Sequence, residues 1–150
     1  MGRVRVVCHL HIESPPFEVD LERLTSAGQS VLDWCESEIE PGPGECSLPE
    51  LTIVEVSLVS DEKIAEVHAS FMDDPSVTDV ITFHHGEILI SLDTALRVAG
   101  ELEQLPLRET CLYLVHGLLH LHGYRDGEES ERRCMHELQD GILERVWPLP

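Results

Sequence analysis

Residues Leu112 to Asp126 read LYLVHGLLHLHGYRD, and the run from Cys111 through Leu121 is apolar except for His116 and His120. A helix turns about 100° and rises about 1.5 Å per residue, so side chains four apart sit about 40° and about 6 Å apart on one face. Both imidazoles therefore lean over one point. His122, about 200° round from His120, points elsewhere. Gly123 offers a left-handed exit from the helix, and a chain that turns back there brings Asp126 toward the two rings. A buried neutral imidazole is costly without partners, and this helix is apolar on every face. Three protein ligands with one open position is the plan of a catalytic zinc site, in which a bound water becomes a nucleophile near neutral pH. The bland alternative is a pair of core histidines satisfied by hydrogen bonds.

Working outward, Arg3 to Ile12 alternates and is rich in valine, which predicts a strand. His9 and His11 on it read as surface residues. Helical spacing runs from Asp20 to Ile39, with Trp34 as a core anchor. Glu40 to Pro49 is a loop by its proline and glycine content. Leu51 to Ser60 predicts a second strand, and Asp61 is the expected cap of a helix through Phe71. A loop, Met72 to Val77, leads to a strand ending at His84-His85. Gly86 then turns the chain into GEILIS, making a hairpin. Ser91 or Asp93 caps a helix to about Gln104. Leu105-Pro106 breaks it, the histidine-bearing helix follows, and Glu128 to Val146 forms a last amphipathic helix. The order β-α-β-α-β-β-α-α-α predicts an α+β fold: a small mixed four-stranded sheet covered on one face by about five helices, with the metal site on a central buried helix.

The 150 residues suit one domain, residues 1–150, with a real core. There are 29 acidic against 10 basic residues, and Lys63 is the only lysine. Such a surface repels polyanions at long range. The five cysteines are odd in number and lack CxxC spacing, and no signal peptide is recognisable, so free thiols in a reducing cytoplasm are expected. No apolar run approaches the roughly 20 residues that span a bilayer.

HGLLHLHGY resembles the HGxLHLxGYDH motif of the YbeY-type ribosomal RNA endoribonucleases, matching at His116, Gly117, Leu119, His120, Leu121, Gly123 and Tyr124. Thr78 to Phe83, TDVITF, is similar to that family's TDVLSF, and GEILIS to its GDIVIS, with Glu87 for the aspartate. Together they cover roughly Leu51 to Ile142. The resemblance implies a single-strand endoribonuclease holding one Zn²⁺ through His116, His120 and Asp126. Implied partners are ribosomal RNA and the small ribosomal subunit, with ribosomal proteins or an assembly GTPase beside them. Thr78, Asp79 and Glu87 become candidates for substrate contact. The same ligand spacing occurs in metzincin proteases, which carry a general-base Glu where this chain has Gly117.

Two departures stand out. Asp126 takes the place of the family's third histidine, and one carboxylate cancels half the cation's charge, which predicts a raised pH optimum. Met72 takes the place of an arginine suited to clamp a phosphate. Arg125, beside the proposed ligand, is the candidate substitute. The Met72 substitution and the acidic surface favour a second reading, a ribosome-associated assembly factor that keeps its metal for stability alone.

Overall fold

The computed structural model describes residues 3–74 and 76–148. Pro75, inside the expected loop, and the last two residues of the irregular tail lie outside these. Four strands, β1 (Arg5–Leu10), β2 (Ile53–Val59), β3 (Val80–Phe83) and β4 (Glu87–Ser91), form one sheet in the order β1-β2-β4-β3. β1, β2 and β4 run parallel, and β3 pairs antiparallel with β4 at the edge. Five helices complete the chain: α1 (Leu21–Ser37), α2 (Asp61–Met72), α3 (Leu92–Glu101), α4 (Pro106–Leu121) and α5 (Glu129–Val146). The α+β class and the element order agree with the sequence. The strands are shorter than expected at their ends.

Parity along the strands sorts the two faces. Val54, Val56, Leu58, Ile88 and Ile90 point into the main core, against Leu24 and Val31 of α1 and Leu114 and Leu118 of α4. Met135 and Ile142 of α5 close that core from the far side of α4. Leu114, Leu118, Leu119 and Leu121 are wholly buried, so α4 is the central helix, as its all-round apolar sequence demands. The expectation that helices cover one face needs correction. Ile64 of α2 packs on Val59, Ile81 and Leu89, which have the opposite parity, so α2 covers part of the other face.

The caps follow local hydrogen-bonding chemistry. Asp20 caps α1, and Ser91 caps α3 by accepting from the Thr94 N–H. α2 is capped by Ser60, which accepts from the Lys63 N–H, rather than by Asp61. Asp61 instead accepts from Ser91 Oγ at 2.6 Å, Thr94 Oγ1 at 2.7 Å and Arg97 Nη1 at 3.2 Å, joining the starts of α2 and α3. Pro106 opens α4, where a missing N–H costs nothing. Glu128 and Glu131 form a reciprocal capping box at α5. All five cysteines are free. Burial pushes the Cys35 and Cys111 thiols up to about 12, so both are inert core residues. Among the described residues no helix is long and apolar enough to cross a membrane.

Candidate metal centre

α4 can lie close to the sheet because Gly117 has no side chain. A Cβ there would meet Ile88 Cδ1 and Cγ2 at 2.9 Å. Gly117 stands where metzincins carry their general-base glutamate, and a larger side chain there would collide with Ile88. With Gly117 against β4, His116 and His120 face the gap between α4 and α5.

After Leu121 the helix ends at His122, and Gly123 adopts φ +99°. That left-handed step favours glycine. The proline- and glycine-rich loop before β2 is laced to this turn. Gly42 N donates to His122 O at 3.0 Å, Gly44 N to Gly123 O at 2.7 Å, and Tyr124 Oη to Glu40 O at 2.6 Å. His122 is buried and donates from Nε2 to Ile39 O at 2.7 Å, away from the histidine pair. The reversed chain delivers Asp126. Arg132 of α5 fixes that segment by donating to the main-chain oxygens of Asp126 and Gly127.

The three expected donors meet. His116 Nε2 and His120 Nε2 are 3.0 Å apart, and each is 3.4 Å from Asp126 Oδ2. Among the described residues they form the one group of three or more His, Cys, Asp or Glu side chains close enough to share an ion. A tetrahedral cation with bonds of about 2.0–2.2 Å spaces its ligand atoms about 3.3–3.6 Å apart, close to this triangle.

Hydrogen bonds behind the rings decide what the triangle can hold. His120 Nδ1 lies 3.0 Å from the Tyr124 carbonyl oxygen, which can only accept. The proton therefore sits on Nδ1, and Nε2 presents a lone pair. His116 Nδ1 lies 2.9 Å from Gln139 Oε1 on α5, and gains the same orientation. Two lone pairs and a carboxylate oxygen thus converge with no donor between them, and a divalent cation satisfies all three. Burial, and next the neighbouring His116, hold the His120 pKa below the ordinary imidazole value. The neutral, ligating form of that ring is favoured accordingly.

The other candidates lie at varied distance from this cluster. Asp79, at the start of β3, accepts from the Val80 N–H at 2.8 Å and from Thr78 Oγ1 at 3.5 Å, an arrangement that shapes its own loop. Asp79 also helps to raise the pKa of Glu109, after burial, so its carboxylate stands toward the first turns of α4, at Glu109 and Tyr113. Glu87 has the parity opposite to Ile88 and so lies on the other face of the sheet. There it lines a groove of about 660 Å³ with His9, His11, Lys63, Phe71 and Phe83. Arg125 Nε is 2.6 Å from Glu131 Oε2, which turns its guanidinium toward the start of α5. Met72 ends α2, and its side chain is exposed. His84 accepts or donates at Ser47 Oγ, 2.6 Å away, and pairs with no metal ligand. Gln139 and the Tyr124 carbonyl were not foreseen: a glutamine on an amphipathic helix and a main-chain oxygen carry no sequence motif.

A family model described as Endoribonuclease YbeY matches residues 11–147. A Chlamydia muridarum protein named Endoribonuclease YbeY is 35% identical over 103 residues, 60% of this chain and 64% of its own length. A Protochlamydia amoebophila protein of the same name is 37% identical over 97 residues, 57% of this chain and 65% of its own. These alignments span just under two thirds of either relative. A solution structure from Thermotoga maritima superposes with a TM-score of 0.61 at 26% identity, covering 96% of this chain and 89% of that one.

Proposed function

The chain belongs to the YbeY endoribonuclease family, and from that premise we propose that it is a zinc-dependent endoribonuclease that cuts single-stranded ribosomal RNA during maturation of the small subunit. The observation that carries this reading is the convergence of His116 Nε2, His120 Nε2 and Asp126 Oδ2 with no donor among them. Zinc, when bound, supplies Lewis-acid polarisation of a phosphoryl oxygen and activation of a hydroxyl nucleophile. His116 and His120 hold the ion from α4, and Asp126 closes over it from the turn. The Tyr124 carbonyl keeps His120 in its ligating tautomer. Gly117 denies the site a general-base carboxylate at the position used in peptide hydrolysis.

Thr78 and Asp79 are assigned to contacts with the RNA strand beside α4, and Glu87 to a contact on the hairpin behind it. Arg125 is the assigned phosphate clamp, which it fills by leaving Glu131. The nucleophile is a water or the ribose 2′-hydroxyl. Matched RNA and DNA oligonucleotides incubated with the zinc-loaded protein, followed by end-group analysis, separate the two. Cutting of RNA alone with a cyclic phosphate product means 2′-hydroxyl attack. Absence of RNA cleavage by the zinc-loaded protein, on free RNA and on ribosomal particles alike, refutes the enzymatic reading.

One observation favours a second reading. Met72 stands where the family has an arginine, and Arg125 is engaged with Glu131. A protein that retains zinc and binds ribosomal particles but cuts nothing is a metal-stabilised assembly factor. In that case zinc ties the Gly123 turn and α5 to the core.

A further inference from the structure

Gln139 is buried on α5, 23 positions from the ring it touches. Its Oε1 is the sole polar atom recorded against His116 Nδ1 among the described residues. The alternative location for that proton is Nε2. There it would find two acceptors, His120 Nε2 at 3.0 Å and Asp126 Oδ2 at 3.4 Å. In that arrangement the cluster satisfies itself, and an arriving cation has to displace a proton first. An acceptor at Nδ1 tips the balance the other way and leaves the cluster open.

The chemical type of that acceptor matters too. Two neutral imidazoles and one carboxylate leave a divalent cation with one net positive charge. A carboxylate behind His116 would bring the sum to zero. An amide provides the same hydrogen bond and leaves the charge.

We propose that Gln139 is a positioning residue for the cation, holding His116 in the Nδ1–H form while its neutrality preserves the positive charge that an anionic phosphodiester needs. The tautomer half stands on geometry alone. The charge half rests on the endoribonuclease reading above.

The test compares the full-length protein with Gln139→Leu and Gln139→Glu. Zinc affinity is measured by chelator competition, and the His116 tautomer of the metal-free protein by long-range ¹H–¹⁵N NMR. Thermal unfolding of the metal-free variants reports fold integrity. Gln139→Leu is expected to lose about 10–100-fold in zinc affinity, the usual cost of removing such an outer hydrogen bond. It is also expected to move the His116 proton to Nε2. Gln139→Glu, nearly isosteric, is expected to keep Nδ1–H and to bind zinc at least as tightly, because a carboxylate makes the ring more basic. It should nevertheless raise KM for a single-stranded RNA oligonucleotide several-fold.

Gln139→Leu with zinc affinity within about twofold of wild type, well short of that cost, overturns the positioning role. So does an unmoved tautomer, or equal zinc loss in both variants, which marks a packing role only. Unchanged KM in Gln139→Glu overturns the charge half. If wild type itself cuts no RNA, the functional reading and the charge half fall, while the zinc and tautomer measurements still decide the positioning role.

Discussion

Gly42 and Gly123 meet backbone to backbone: a Cβ on Gly42 would stand 2.5 Å from Gly123 O, and one on Gly123 would stand 2.9 Å from Gly42 O. This contact ties a loop more than seventy residues upstream to the turn that delivers Asp126. Gly123→Ala imposes both the positive φ and the collision. It is expected to lower stability by about 1–3 kcal/mol and to weaken zinc binding in proportion to the displacement of Asp126. Urea denaturation and chelator competition on the same preparation measure the two effects.

Gly117→Ala probes the helix–sheet approach. The added methyl meets Ile88 at 2.9 Å and Thr82 Oγ1 at 3.2 Å. Overpacking of this kind costs about 1–3 kcal/mol. Ile88→Val on the Gly117→Ala background should recover part of that loss in thermal unfolding, because it removes one of the colliding methyl groups. An additive double variant would show that the two sites do not meet.

The ligand set predicts metal content directly. His120→Ala and Asp126→Asn should each lose zinc affinity by more than the roughly 10–100-fold expected for loss of an outer partner. His122→Ala should bind zinc as wild type does, since its ring serves the Ile39 carbonyl. Retention of one zinc per chain in Asp126→Asn after dialysis would remove the carboxylate from the ligand set.

Asp61 supplies a stability–pH prediction. Burial pushes its pKa up, but hydrogen bonds from Ser91, Thr94 and Arg97 outweigh burial and hold it below the usual carboxylate value. A carboxyl with a depressed folded pKa stabilises the fold above its unfolded pKa, and that contribution is lost as pH falls through the folded one. The stability gap between wild type and Asp61→Asn should therefore be constant above about pH 5 and close progressively below about pH 4. Denaturant midpoints at a series of pH values measure it. A gap that widens in acid would contradict the assignment.

Asp126 supplies a rate–pH prediction. With one anionic ligand the cation acidifies a nucleophile less than it would with three neutral ones. Asp126→His should shift the alkaline rise of RNA cleavage toward lower pH. Coincident profiles for the two proteins would show that the nucleophile's deprotonation does not limit the rate.

Much of this was legible in the sequence for physical reasons that can be named. The run from Cys111 through Leu121, lying between Pro106 and Gly123 and apolar except for two histidines, marked α4, and the four-residue spacing of His116 and His120 on it required a shared face. The left-handed preference of glycine located the turn at Gly123. What stayed hidden depends on three-dimensional context. Strand parity shows that Glu87 and Ile88 point to opposite faces, but not which face meets α4. Ser60 and Asp61 are both good caps, and only the Asp61 bonds to Ser91 and Thr94 decide between them. Ile64 reads as an ordinary apolar helix residue, so its patch on Val59, Ile81 and Leu89 behind the sheet went unseen.

His116, His120 and Asp126 fall within eleven consecutive residues. Bringing their donor atoms together closes only a very short loop, so the entropic cost of gathering the three ligands is small. Of the two hydrogen bonds behind the rings, the one from His120 to the Tyr124 carbonyl stays within this stretch. The one from His116 to Gln139 reaches 23 positions along the chain, so the orientation of that ring depends on α5 being docked.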